Sequence, residues 1–215
     1  MARPGHWTIS RYHTFTKCPY RYYLQYVERK GTGEPSEALE RGIRIHSRLE
    51  DFFNGKALPK VAHAFHEMYH ELRQQRVRTE ELWRFSERWK AVKDGGWLLM
   101  KTDLYRKQRN HALIVDFKTG KIYDTNVEQM EVYAAGAFAK WPALQSVAVE
   151  LHYIDRKEIK EGEYTRAEGL GLRDRWSELG RNLLAADEFP ARPSYLCNWC
   201  PYAGDPCREG LSARD

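Results

Sequence analysis

In the stretch Ile114-Val-Asp-Phe-Lys-Thr-Gly120 a carboxylate and an amine stand two residues apart. Side chains two apart on a strand share a face, so Asp116 and Lys118 are expected in one site, with Val115 and Phe117 turned the other way. Upstream, Lys101-Thr-Asp103 falls on the preceding predicted strand, and the short connection at Lys107 to His111 forms a hairpin that sets Asp103 beside Asp116. Two carboxylates with a lysine make a hard oxygen-donor site suited to Mg2+ or Mn2+. An ion held there lowers the pKa of bound water and neutralises the transition-state charge of a phosphodiester, while the lysine orients or deprotonates the attacking water. Gln129 and Tyr133, at i and i+4 of a predicted helix, can both point at such a site from one helical face. Taken singly, each feature is commonplace, because Asp-x-Lys at a strand end is often an exposed ion pair.

A second group with chemical capacity is the thiols. Cys197-Asn-Trp-Cys200 and Cys207 gather three cysteines in a compact tail, and Cys18 lies near the other end of the chain. The N-terminus has no signal-peptide core and thiols stay reduced in the cytosol, so metal or cluster ligation ranks ahead of a disulfide framework. Four thiolates hold Zn2+ tetrahedrally or a 4Fe-4S cluster, and spacing alone does not separate the two.

The elements that must position these groups follow from periodicity. Ser10 is the predicted cap of a first helix, interrupted at Pro19, and Gly31-Thr-Gly33-Glu-Pro35 forms a loop. A helix from Ser36 to Asn54 carries Leu39, Ile43, His46, Leu49, Phe52 and Phe53 largely on one face, and another runs from Pro59 to about Val77. Next, Leu82–Phe85, Trp97–Tyr105 and Ala112–Phe117 read as antiparallel strands, followed by a helix from Asn126 to Trp141, a strand from Ser146 to Ile154, another near Glu163 and a helix from Arg166 to Ala186. The fold class is mixed α/β in a single domain, 1–215: a helical section at about 10–78, a sheet core at about 80–187 and a cysteine-rich tail at 190–210. The 215 residues include 7 Trp, 13 Tyr and 8 Phe, enough rings for a core, so disorder and collagen-like repetition are excluded. The longest apolar run, Val132–Ala139, is too short to span a bilayer, and a soluble cytoplasmic protein with no membrane association is expected. A net charge of +5 permits a polyanionic partner without demanding one.

Together and in this order, Asp103, Asp116-x-Lys118 and the Gln129/Tyr133 helix resemble the PD-(D/E)XK nuclease superfamily. The match is to its RecB-like branch, through Gly42-Ile-Arg-Ile-His46, Asp116-Phe-Lys-Thr-Gly-Lys121 and Gln129-Met-Glu-Val-Tyr133. The resemblance implies a restriction-endonuclease-like mixed sheet core flanked by helices. It implies Asp103, Asp116, the Phe117 carbonyl and His46 as metal ligands, Lys118 as the water-activating amine, and Gln129 and Tyr133 as residues that position the scissile phosphate or the metal waters. By itself, a histidine on an apolar helical face is more often a core residue. Two departures stand out: Met100 occupies the place where the branch often has Gly, and an additional glutamate is not securely located, Glu81 being the candidate.

The segment Ser10 to Leu24, with Cys18-Pro19 inside it, and the tail Cys197-x2-Cys200-x6-Cys207 are similar to the iron-sulfur subset of that branch. This subset comprises the CRISPR-associated RecB-like exonucleases and phage-encoded relatives. It implies a structural 4Fe-4S cluster on Cys18, Cys197, Cys200 and Cys207, with Zn2+ as the alternative. The implied function is a Mg2+- or Mn2+-dependent deoxyribonuclease, an exonuclease on single-stranded ends with endonuclease activity as an extension, in phage recombination, repair or CRISPR spacer processing. DNA is the expected partner, and an integrase, annealing protein or helicase the expected kind of companion. Arg11, Arg21, Tyr20, Tyr22 and Tyr23 serve either as strand contacts or as packing around the cysteines, and Arg73-Gln-Gln-Arg-Val-Arg78 is a second basic stretch. The rival is a non-catalytic iron-sulfur DNA-binding adaptor. The presence of Asp103, Asp116 and Lys118 favours an enzyme.

Overall fold

The computed structural model describes residues 4–210; residues 1–3 and 211–215, the two ends of the predicted domain, lie outside it. Helix α1 (Ile9–Lys17) is capped by Thr8, whose extended backbone and side-chain oxygen receive the Arg11 N–H at 3.1 Å, so the cap falls two residues before the predicted Ser10. At Cys18 the chain is extended, and Pro19, which lacks an N–H and presets φ, opens a fresh helix, α2 (Pro19–Tyr22), that widens into a π-helical turn over Tyr23–Val27.

Helix α3 (Glu37–Phe53), capped by Ser36, occupies its predicted span. Its buried stripe, however, is Ile45, Leu49, Phe52 and Phe53, while Leu39 and Ile43 remain in solvent. At 3.6 residues per turn, Leu39, Ile43 and His46 lie roughly a quarter-turn round the helix from that stripe. The region after Pro59 is a 3-10 helix (Lys60–Phe65) followed by α4 (His66–Gln74), not one helix to Val77, because Gln75 is already extended and the first strand begins at Arg78.

Five strands, β1 (Arg78–Phe85), β2 (Leu98–Gln108), β3 (His111–Lys118), β4 (Ser146–Tyr153) and β5 (Glu158–Thr165), form one sheet in chain order. Pairing is antiparallel except between β3 and β4, which are parallel and joined by helix α5 (Asn126–Lys140). A parallel pair needs such a crossover, whereas the two-residue turn after Gln108 closes the β2–β3 hairpin directly. Helix α6 (Arg166–Ala185) starts at a capping box made by Thr165 and Glu168. The architecture is a mixed α/β fold, a five-stranded sheet flanked by helices. On one face, Ile114, Val147, Val149 and Leu151 pack with α5 and α6; on the other, Leu104, Val115 and Phe117 pack with α3 and α4.

Two details of β1 and β2 bear on the site. Trp83, Phe85, Leu98 and Met100 belong to the α5 and α6 side, yet Leu104 belongs to the α3 and α4 side, so alternation reverses between Met100 and Leu104. At the reversal Glu80 adopts φ +54°, an uncommon conformation for a residue with a Cβ. Met100 itself is accommodated by a partner on α5: a Cβ at Gly136 would come within 2.5 Å of the Met100 sulfur. The residue that departs from the branch pattern is thus matched by a glycine on the facing helix. The tail, with 3-10 turns at Tyr195–Trp199 and Arg208–Gly210, returns to the N-terminal helices through bonds from Tyr20 N to Pro190 O (3.2 Å) and from Arg192 to Thr16 O (2.7 Å). Among the described residues no helix is long and apolar enough to cross a membrane.

Candidate active site

The parity argument for β3 holds in three dimensions. Asp116 and Lys118 form an ion pair at 2.6 Å, while Val115 and Phe117 enter the opposite core. Hairpin register, with Leu104 opposite Val115, brings Asp103 alongside Asp116, and Asp103 Oδ2 accepts the Phe117 N–H at 2.7 Å. Both carboxylates are buried. Burial, and then the Asp116 charge, raise the Asp103 carboxyl above its ordinary range against the opposing pull of His46.

Helix α5 supplies the next layer. Gln129 accepts from Lys118 Nζ through Oε1 (2.5 Å) and donates through Nε2 to Asp116 Oδ1 and to the Tyr133 hydroxyl, both at 2.9 Å. The Tyr133 hydroxyl lies 2.8 Å from both Asp116 Oδ1 and the Lys101 carbonyl, and its single proton serves these two acceptors. Burial and the charges of Asp116 and Asp103 push the Tyr133 phenol far up, so it acts as a donor. The i and i+4 pair therefore fixes one oxygen of Asp116. Its other oxygen, Oδ2, is buried and receives no aligned hydrogen bond, with the Lys118 ammonium as its ionic neighbour.

From α3, His46 Nδ1 reaches to 3.3 Å of Asp103 Oδ2. Burial draws the imidazole down, but the Asp103 hydrogen bond and the charges of Asp103, Asp116 and Glu80 outweigh it, and the net shift is upward. His46, Glu80 and Asp103 each bring a ligand atom within 4.8 Å of the others, and among the described residues they form the only such trio of His, Cys, Asp or Glu. Glu80 is the residue that sequence reasoning missed. The candidate, Glu81, is committed to the opposite side of the sheet, where it accepts from the Tyr105 hydroxyl (2.5 Å) and Lys140 (2.8 Å). Alternation from Trp83 and Phe85 puts Glu81 on the α5 side and Glu80 on the side of α3, and Glu80, at φ +54°, stands with His46 and Asp103. Gly42, four residues before His46, lets the loop after β3 approach: a Cβ there would stand 3.2 Å from Thr119 Oγ1.

One imidazole and three carboxylates suit a hard divalent cation such as Mg2+ or Mn2+. His46 and Glu80 line a cleft of about 470 Å3 together with Leu39, Ile43, Lys101 and Thr119, among others.

All four cysteines line a different pocket, between the α1–α2 junction and the tail, and none is disulfide-bonded. Backbone N–H groups of Arg192 and Ser194 point at the sulfurs of Cys18 (3.5 Å) and Cys197 (3.4 Å). No three of the sulfurs lie within 4.8 Å of one another. A tetrahedral Zn2+ site needs sulfurs about 3.8 Å apart. The predicted strand contacts divide. Tyr22 is buried, Tyr20 and Tyr23 stack on each other beside the cysteines, Arg11 lies over the Tyr26 ring, and Arg21 lines the cysteine pocket. Arg73, likewise, lies over Phe52 and donates to the Lys56 carbonyl. The exposed rings nearby are instead Tyr195 and Trp199, which no sequence pattern singled out.

A family model for the PD-(D/E)XK nuclease superfamily matches residues 6–204. The chain belongs to the PD-(D/E)XK nuclease superfamily. No curated protein matches it. Among solved structures, that of SSO0001 aligns over 94% of this chain and 85% of its own, at 14% identity and a TM-score of 0.48. Superfamily membership makes a metal-dependent nuclease the activity class, with nucleic acid as substrate.

Proposed function

We propose that this nuclease is a Mg2+- or Mn2+-dependent deoxyribonuclease that acts as an exonuclease on single-stranded DNA ends. What supports the reading is the convergence of Asp103, Asp116, Lys118 and Gln129 with His46 and Glu80, the last two of which line a cleft. His46, Glu80, Asp103 and Asp116, with the Phe117 carbonyl, would hold the cation. A divalent ion at such a site supplies Lewis acidity toward the phosphate and acidifies water. Lys118 Nζ, held by Asp116 and Gln129, would orient the attacking water by donating a hydrogen bond to it. Tyr133 keeps Asp116 fixed by hydrogen bonding, so that the carboxylate needs no reorganisation during the reaction. Away from the cleft, Cys18, Cys197, Cys200 and Cys207 would hold a 4Fe-4S cluster, whose ligation joins the two ends of the chain. A role in phage recombination, repair or CRISPR spacer processing, alongside an integrase, annealing protein or helicase, fits an enzyme that trims ends.

The decisive test compares end-labelled linear and covalently closed circular single-stranded DNA, with Mg2+ or Mn2+, for the parent protein and Lys118→Ala. Metal-dependent loss of the linear strand that is absent in the variant is the expected result, and the labelled end reports polarity. Cleavage of the circle adds endonuclease activity. A parent protein with its full metal content that cuts neither substrate overturns the enzyme in favour of a DNA-binding adaptor.

A further inference from the structure

The cleft has an apolar lip that the catalytic groups do not use. Leu39 and Ile43 are 55% and 59% exposed, among the most exposed large aliphatic side chains in the chain, and both line the cleft that holds His46 and Glu80. They stand at i and i+4 on α3 with His46 three residues further on, so the three form a row that runs from the mouth of the cleft to the carboxylates. The core stripe of α3, Ile45, Leu49, Phe52 and Phe53, lies a quarter-turn away, so Leu39 and Ile43 line the cleft and stay out of the core. Helix α3 thus presents a second apolar surface beside His46 and Glu80.

The chemistry of the lip narrows what it meets. Lys101, a cation of the cleft wall, is already ion-paired with Glu80, and Glu50 adds a further negative charge, so this wall does not attract phosphate oxygens. Aliphatic side chains offer no hydrogen bond with which to read a base edge. What they complement is a flat, apolar, uncharged surface, and in a polynucleotide that is the face of a base. Base faces are covered in a stacked duplex and open in an unpaired strand.

We infer that Leu39 and Ile43 form a sequence-independent seat for the face of an unpaired nucleobase beside the scissile phosphate, and that this seat selects unpaired strand ends over duplex. The inference rests on the nuclease reading of the cleft and adds to it the residues that discriminate substrate form. Loss of the seat should weaken single-strand binding about ten-fold, the lower end of what removing a buried aliphatic contact does.

The experiment is a coupling measurement. Binding of a fluorescent single-stranded oligonucleotide is followed by anisotropy with Mg2+ in a Lys118→Ala background, which prevents degradation, with and without Leu39→Ser/Ile43→Ser. The strand is intact or carries one abasic site, moved through the first six positions from the end. Expected is one position at which removing the base weakens binding about ten-fold; the double variant binds the intact strand more weakly by the same factor and is indifferent to the abasic site. In the Lys118 enzyme, Leu39→Ser/Ile43→Ser should raise KM on single strands about ten-fold with kcat within two-fold, and leave the melting temperature unchanged because both residues are exposed. An abasic penalty that persists in the double variant, or intact-strand binding equal to the parent, overturns the seat while parental cleavage leaves the nuclease standing. A change in oligomeric state on sedimentation of the double variant assigns the lip to self-association and also overturns it. A parent that neither binds nor cuts any strand removes both readings together.

Discussion

At the scale of single residues, the site is built on a conflict that a cation resolves. Asp103 and Asp116 are buried side by side, and burial plus the neighbouring charge make Asp103 reluctant to ionise. Asp103→Asn should therefore raise the melting temperature of the metal-free protein, by the several degrees that about 1–2 kcal/mol represents, and abolish cleavage. Adding Mg2+ or Mn2+ should stabilise the parent by linkage and leave Asp103→Asn unmoved; calorimetric scans with and without the ion read both effects. The two adjacent glutamates allow a sharper separation. Glu80 stands with His46 and Asp103, so Glu80→Gln should lower metal affinity and cleavage about 10- to 100-fold with little change in folding. Glu81 is bound to Tyr105 and Lys140 on the other side of the sheet, and Glu81→Gln should cost stability while leaving metal-dependent cleavage near the parental level. A titration of activity against Mn2+ for the two variants, beside their melting curves, checks the assignment; equal effects would place both glutamates in the fold alone.

At the scale of elements, the loop after β3 is held by an ion pair rather than by its own sequence. Asp155, just past β4, accepts Arg41 of α3 in a two-pronged pair (2.6 and 2.9 Å) and the Gly120 N–H (2.7 Å), so one carboxylate ties the helix of His46 to the loop that follows Lys118. The Arg41 hydrogen bonds, with Gly120 N–H assisting against partial burial, hold the Asp155 carboxyl below its ordinary value of 3.8. A group with a depressed native pKa binds fewer protons folded than unfolded, so its stabilisation is complete above about 3.8 and disappears as pH falls through the lower native value. Asp155→Asn should accordingly flatten the acid limb of a stability profile and reduce kcat at neutral pH, which unfolding curves and initial rates would show. Packing between β2 and α5 gives a second test. Gly136→Ala, opposed by the Met100 sulfur, should destabilise by about 1–3 kcal/mol, and Met100→Ala in the same chain should recover most of that. Much of this architecture was legible beforehand. The approximate strand positions, the α5 helix and the Asp116, Lys118, Gln129 and Tyr133 grouping follow from periods of two and of three to four, which depend only on local geometry, whereas the parallel pairing that makes α5 a crossover does not. What was not legible depends on features a period cannot carry. Glu80 stands at an irregular position of β1, with φ +54°, before the regular alternation begins, the core stripe of α3 is set by which face meets the sheet, and Gln75 ends α4 early enough for β1 to begin at Arg78.

At the scale of the whole molecule, the sheet is closed by its own cores on both faces, yet the two ends of the chain meet outside them, at a small satellite cluster of Leu24, Tyr202 and Cys207. Phe189 packs on the rings of Phe15, Tyr22 and Tyr23 beside that cluster, and hydrogen bonds such as Tyr202 to Lys30 O (2.9 Å) and Arg192 to Thr16 O (2.7 Å) complete the junction. A cross-link there would join segments separated by almost the entire chain and remove the entropy of that long loop from the unfolded state. The four cysteines that line the pocket between these segments are where that cross-link would form. No three of their sulfurs lie within 4.8 Å of one another, so the metal content decides between the proposed cluster and zinc. Protein prepared without oxygen should then contain about four iron and four acid-labile sulfide per chain. Cys18→Ser and Cys200→Ser, at opposite ends of the chain, should lose iron alike and melt well below Lys118→Ala, which leaves the junction intact. Stoichiometric zinc with no sulfide would overturn the cluster while keeping the cross-link. Iron retained in full by Cys18→Ser would detach the N-terminal helices from the junction and leave the tail to bind its metal alone.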